Sequence, residues 1–281
     1  MPHRHSILLI VHRDPRQVSR LVERLRHPDV DLWMHVDAKV DLDPFLAPGV
    51  RQLASRVPVS WSGFGCVRTT LAWLREAVAG TEASRFTLLT GQDYPLRPVG
   101  EIVEILRGGS GDRVDFSHDA EDRRWRYERF WLYPDEHRPA RRLLLRAARK
   151  LWFRDRSCRS LPGGLSFASG SAYWTLGRET VAWMLDFLAR RPEVERFFEH
   201  TFAPDEMFFH TLLGSSPLRS RIEPAVHHID WSGGGAHPKW LGMEDLSAMR
   251  AGGALFARKF KADDPVLDAL DREIEASAGI P

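Results

Sequence analysis

Short β-branched or leucine-rich runs alternate along this chain with segments whose apolar residues return at helical spacing. That alternation constrains the fold more than any other feature. Ser6 to Val11 is a continuous apolar run, followed by Asp14-Pro15 as a helix cap and first-turn pair, then by Val18, Leu21, Val22 and Leu25 at helical spacing. The unit repeats. Strands are predicted over Asp31 to Val36, Pro58 to Trp61, Phe86 to Thr90, Arg113 to Phe116, Ser169 to Leu176 and Ala225 to Trp231. Helices are predicted over Val67 to Ala79, Val99 to Leu106, Glu179 to Ala189, Pro204 to Leu213 and Pro265 to Ala276. Such a pattern folds as an α/β domain with a mostly parallel sheet flanked by helices, whose ligands bind beyond the carboxyl ends of the strands.

With 281 residues, 43% of them hydrophobic, the chain can bury a substantial core. One domain over residues 1–281 is expected, interrupted by an Arg- and aromatic-rich insertion at about 119–160 that carries no strand pattern. The formal net charge of +2 does not by itself demand a polyanionic partner. Cys66 and Cys158 stand far apart without metal-ligand spacing, which argues against a disulfide framework and for a reducing compartment. The apolar run Ile7 to Val11 is too short to span a membrane and meets Arg13-Asp14 at once, so a cytoplasmic location is expected.

Within Leu255-Phe256-Ala257-Arg258-Lys259-Phe260 two adjacent cations sit between residues that look built to pack. A half-buried cation needs an anion, and a guanidinium beside an ammonium suits a diphosphate; the plainer alternative is a solvated basic turn. Val11 and His12 close the first predicted strand, Asp37 the second, and Asp93 follows the Phe86 strand after Gly91. All four fall at the ligand edge of the sheet, although turn capping also suits both aspartates. Glu206, at the start of a helix continuing as Met207, Phe208 and Phe209, is placed where a partly desolvated carboxylate can take up a proton. The alternative is an acidic partner for the helix dipole.

No Asp-x-Asp stands at a strand end to hold a divalent cation, and the separations of His227, His228, Asp230 and His237 match no standard zinc pattern, so no metal is expected. Trp231, beside the loop Ser232-Gly233-Gly234-Gly235, offers an indole face to a sugar. From Arg138 to Arg156, Arg141, Arg142, Arg146, Arg149, Lys150 and Arg154 surround three leucines in a row and Leu151-Trp152-Phe153, the composition of an interfacial helix or of a solvated basic one. No nucleic-acid-binding motif accompanies that charge, so the partner expected for this stretch is either an anionic membrane surface, at the inner face of the membrane, or the acceptor.

In chain order, Leu9-Ile10-Val11-His12, His35-Val36-Asp37, Val59-Ser60-Trp61, Leu89 to Pro95, Ser169 to Trp174, Pro204-Asp205-Glu206, Ile229-Asp230-Trp231 and Leu255 to Phe260 resemble the core-2/I-branching glycosyltransferases. That family includes β-1,6-N-acetylglucosaminyltransferases and peptide O-xylosyltransferases. The resemblance implies a GT-A type fold and an inverting, metal-independent transfer from a UDP-sugar, without a cofactor, to a carbohydrate or glycolipid acceptor. It implies Glu206 as the base that activates the acceptor and Arg258 and Lys259 as diphosphate ligands, with Lys239 standing in for a further cation of the animal enzymes. Val11, His12, Asp37 and Asp93 fall on its nucleotide side, and Trp231, Arg126 and Ser171 on its acceptor side. Ala172 replaces an acidic residue of the xylosyltransferase branch, which favours N-acetylglucosamine as the donor sugar. A UDP-xylose-dependent enzyme and a non-catalytic nucleotide- or carbohydrate-binding protein on the same fold are the alternatives.

Overall fold

The computed structural model describes residues 4–118, 121–131, 159–235 and 237–279. Strand β1 (Arg4–Val11) is buried along nearly its whole length. Its side chains alternate between two cores: Ile7, Leu9 and Val11 enter one, Leu8 and Ile10 the other. A strand covered on both faces has to be apolar at every position, and this is why the run lacks the alternation of a half-exposed strand.

The chain continues through α1 (Pro15–Arg24), β2 (Val30–Val36), β3 (Arg51–Gln52), α2 (Gly65–Gly80), β4 (Ala83–Thr90), β5 (Asp93–Pro95), α3 (Val99–Gly108), β6 (Asp112–Val114), β7 (Ser117–His118) and α4 (Trp125–Glu128). After the undescribed stretch come β8 (Ala168–Ser169), β9 (Trp174–Gly177), α5 (Arg178–Arg190), α6 (Pro192–Phe198), a 3-10 turn (Pro204–Glu206) and α7 (Phe208–Gly214). Last are β10 (Ile222–Glu223), β11 (His227–Ile229), α8 (Leu246–Ala251), β12 (Phe256–Arg258) and α9 (Pro265–Ser277).

Seven strands form the main sheet in the order β10-β6-β9-β4-β1-β2-β3. All neighbours are parallel except at β9, which is antiparallel to both β4 and β6. The predicted fold class is what forms. A smaller sheet, β11-β12-β5, continues beyond the carboxyl end of β4 and brings the end of the chain back to it. Trp73 and Trp174, both fully buried, stack with centroids 6.4 Å apart between α2 and β9.

Several predicted elements differ. Pro58 to Trp61 forms no strand: side chains satisfy its backbone, with Val57 N–H donating to His35 Nε2 (3.0 Å) and Val59 N–H to Asp37 Oδ2 (3.3 Å), while β3 takes the edge beside β2. The predicted strand Ser169 to Leu176 breaks in two, because Asp115 Oδ2 captures the Ser171 N–H at 2.9 Å and bends the chain between β8 and β9. Pro204 to Leu213 opens as the 3-10 turn rather than as one helix, Met207 leaving helical geometry at φ −136°. Asp14 precedes α1 but makes no side-chain cap, since it adopts a left-handed φ of 53°. The basic stretch Arg138 to Arg156 lies outside the described residues. Among those that are described, no helix is long and apolar enough to cross a membrane.

Candidate active site

The register of β12 on β5 sets Arg258 opposite Asp93. Arg258 Nη1 donates to Asp93 Oδ1 at 3.0 Å and to Thr90 Oγ1, and the other Asp93 oxygen accepts from the Thr90 N–H and hydroxyl. The guanidinium lies 4.6 Å from the centroid of the Tyr173 ring. Asp93 is fully enclosed, so its carboxylate faces Arg258 and Thr90 rather than a ligand, whereas Arg258 stays 13% exposed. The Arg258 groups that remain, Nε and Nη2, hold no partner among the described residues and are available to an anion. Buried Leu255, Phe256, Ala257 and Phe260 anchor the segment, as their flanking positions imply.

Lys259 follows with its ammonium 4.3 Å from the centroid of the Trp240 ring. Its pKa is lowered by burial, then by the charges of Arg258 and Arg13. Lys239 is placed differently. Its ammonium is held by Asp245 at 2.7 Å, with Glu244 at 3.9 Å, and the segment meets the cation pair through Trp240 and through the Leu241 N–H on the Lys259 carbonyl (2.9 Å).

At the ends of β1 and β2 the Asp37 N–H donates to the Val11 carbonyl at 2.9 Å. The buried Asp37 carboxylate accepts from the Lys39 N–H (2.9 Å) and the Val59 N–H, with the Lys39 ammonium 3.6 Å away. It therefore ties the ligand edge to the loop that carries Trp61. His12 is exposed next to Arg13, whose Nε donates to His12 Nε2 at 3.0 Å. Its pKa is lowered by partial desolvation of the ring against the sheet edge and then by Arg13, partly opposed by Asp37.

The 3-10 turn is fixed from two sides. The Ala203 N–H donates to the Ser62 carbonyl (2.9 Å) and the Gly170 N–H to the Glu206 carbonyl (3.0 Å). Glu206 Oε2 accepts from Arg126 Nη1 at 2.5 Å, the two side chains remaining 32% and 18% exposed. Its neighbour Asp205 is half-buried, and its carboxyl pKa is pushed up to about 7 by burial and then by the charge of Glu206. The Asp205 charge acts in turn on Cys66 and Tyr173, and Tyr173 carries Arg258. The acidic turn and the basic strand thus belong to one electrostatic neighbourhood.

A cleft of about 620 Å³ adjoins them, walled by Asp115, Ser171, Glu223, His227, Ile229 and Trp231 among others. Trp231 is 49% exposed. His227 lies between Tyr173 (5.6 Å between centroids) and Phe256 (5.2 Å), and burial lowers its pKa to about 4. Gly170 is required where the chain turns into the cleft: a Cβ there would lie 1.8 Å from the Asp115 carbonyl oxygen.

The fold thus brings Arg258, Lys259, Asp93, Glu206, Arg126, Ser171 and Trp231 around one end of the sheet, with Val11, His12 and Asp37 on its β1–β2 side. Arg13, Lys39, Tyr173, Asp205 and Trp240 join them without having been singled out by the sequence. An aromatic three residues after a cleft glycine, as in Gly170-Ser171-Ala172-Tyr173, is the one available sign. No group of three or more His, Cys, Asp or Glu residues able to hold a metal stands among the described residues.

A sequence model described as Core-2/I-Branching enzyme matches residues 7–251, stopping before Arg258 and Lys259. Rat xylosyltransferase 1 is 25% identical over 100% of this chain and 37% of its own length. The β-glucuronosyltransferase GlcAT14B of Arabidopsis thaliana is 26% identical over 93% of this chain and 63% of its own length. Human xylosyltransferase 1 is 27% identical, over 96% of this chain and 30% of its own. The chain therefore spans between about a third and just under two thirds of the length of these relatives. The crystal structure of mouse xyloside xylosyltransferase 1 in its apo form aligns over 91% of this chain and 97% of that one, with 12% identity and a TM-score of 0.37.

Proposed function

The chain belongs to the Core-2/I-branching enzyme family, and on that premise we propose that it is an inverting glycosyltransferase of GT-A type that moves a sugar from a UDP-sugar to a carbohydrate hydroxyl without a metal. The observation that carries this reading is Arg258, anchored by Asp93 and Tyr173 with donors left over, beside Lys259 and in the same neighbourhood as the Asp205–Glu206 turn.

In the proposed reaction Glu206 takes the proton of an acceptor hydroxyl as its oxygen forms a bond to the anomeric carbon. The bond from that carbon to the diphosphate breaks on the opposite face, and UDP leaves with the electron pair. Arg258 and Lys259 neutralise the charge that grows on the leaving oxygen, so their contribution is greatest in the transition state. Arg126 keeps Glu206 in place until substrate arrives. The cleft lined by Ser171 and Trp231 receives the acceptor.

N-acetylglucosamine is the first donor sugar to test, with xylose and glucuronic acid added because the relatives carry those names. Release of UDP from each donor, with a panel of glycoside acceptors, measures the activity, and equal rates in excess EDTA and in manganese test the absence of a metal. Glu206→Gln is expected to lower kcat by about 100-fold or more, the scale of general-base catalysis, with UDP affinity unchanged. Near-normal turnover in that variant removes Glu206 from the base role.

A further inference from the structure

Trp61 is 61% exposed, more than the other exposed large apolar side chains among the described residues, Leu46, Ile105, Trp231 and Met243. Single exposed apolar residues are ordinary on a protein surface. This one is unusual in what lies beneath it. Its ring meets Phe202 at 5.6 Å and 81°, and His237 at 5.8 Å and 62°, both edge to face. Phe202 in turn lies 5.2 Å from Trp125 and 4.9 Å from Trp131.

The same aromatic base supports the carboxylate turn. Arg126, which holds Glu206, rests 5.9 Å from the centroid of Trp125 and 6.0 Å from that of Phe202. Backbone bonds fix the arrangement: the Phe202 N–H donates to the Arg126 carbonyl, the Ala203 N–H to the Ser62 carbonyl, both at 2.9 Å, and the Gly63 N–H to the Ser60 carbonyl at 3.0 Å. Trp61 therefore stands in a loop tied to the Glu206 turn one residue away at Ser62, with most of its indole uncovered. A rigid indole of this kind gains by stacking on the C–H face of a pyranose, since burial of its apolar face requires no ordering of the loop. An extended peptide would need a free strand edge, and the Trp61 loop forms no strand.

We propose that Trp61 is the platform for a second sugar ring of the acceptor, so that the substrate is a disaccharide unit or longer rather than a free monosaccharide. The proposal rests on the reading that Glu206 receives the reacting hydroxyl. The ring bearing that hydroxyl lies at Glu206, and the neighbouring ring lies on Trp61, over the base formed by Phe202 and His237.

The experiment compares wild type, Trp61→Ala and Trp61→Phe on methyl monosaccharides and on lactose, cellobiose, xylobiose and chitobiose glycosides. UDP release gives the kinetics, and isothermal titration of the same sugars in the presence of UDP gives binding without turnover. The expected result is a tenfold or greater rise in KM for the preferred disaccharide in Trp61→Ala, with monosaccharide kcat/KM and UDP affinity within twofold of wild type. Trp61→Phe should recover most of the loss. Equal loss on monosaccharides and disaccharides, or no loss at all, overturns the platform while leaving the transferase reading intact. If no donor is turned over, disaccharide binding that Trp61→Ala abolishes still supports the platform, and binding that is unchanged or absent in the wild type overturns it.

Discussion

Arg258 and Asp93 face each other across the antiparallel pair β12–β5, with Nη1 and Oδ1 3.0 Å apart and the carboxylate wholly enclosed. The pair joins the last strand of the chain to the residues that follow β4. It also explains how a cation can be both packed and available: one nitrogen is fixed by Asp93 and Thr90, and the other two hold no hydrogen bond among the described residues.

Removing one partner of such a pair leaves an uncompensated buried charge. Asp93→Ala is therefore expected to cost about 3–5 kcal/mol in stability, measured by urea unfolding. Asp93→Leu combined with Arg258→Met should recover part of that loss yet bind UDP far more weakly than wild type in calorimetry. If the double variant keeps wild-type UDP affinity, the pair is structural only.

Asp205 supplies a pH signature. Its carboxyl rises from 3.8 to about 7 through burial and the neighbouring Glu206 charge, so the folded state favours the protonated form. The stability this gives is complete below pH 3.8 and is lost as pH rises through about 7. Asp205→Asn should accordingly raise Tm relative to wild type at pH 8 and have little effect at pH 4.

Three enclosed histidines and His227 at the cleft wall set the acid limit. Burial lowers His5 to about 3 and His35, His210 and His227 to about 4, against 6.5 for the free side chain. A depressed folded pKa gives stability that is present above 6.5 and is lost as pH falls toward 4. Tm should decline over that window, with protons taken up on unfolding. His210→Gln is expected to be less stable at pH 8 but to show a shallower slope.

Gly170 is where a methyl group has least room, its Cβ lying 1.8 Å from the Asp115 carbonyl oxygen and 2.9 Å from His210 Nε2. Gly170→Ala should cost about 1–3 kcal/mol. It should also weaken acceptor binding more than UDP binding, because Ser171 must move. Separate titrations with each ligand measure the difference.

The alternation of runs was enough to read the main sheet, since β1, β2 and β4 are buried on both faces and announce themselves by composition alone. It failed where side chains replaced ladder hydrogen bonds. His35 and Asp37 satisfy the backbone of residues 57–59, and nothing in Pro58-Val59-Ser60-Trp61 reveals that. Arg258 and Lys259 could be recognised by their apolar flanks, but the partner that fixes Arg258 lies 165 residues away in sequence. The resemblance points to Lys239 as a further cation, but its ammonium is held by Asp245, a partner that the sequence does not reveal. Asp205 and Glu206 differ in partners and surroundings rather than in chemistry, so their sequence alone does not tell them apart.

The small sheet has a consequence for how the protein is made. Every strand of the seven-stranded sheet lies between Arg4 and Glu223, whereas Arg258 and Lys259 reach the ligand edge only on β12, after a further 35 residues. A chain still emerging from the ribosome can lay down its main sheet while the anion-binding corner is missing. The proposed grip on the donor is thus assembled only after every strand of the main sheet has been made, and a product stopped near residue 250 would lack it together with Phe256, Phe260, Val266, Leu267 and Leu270, which share one core with β1.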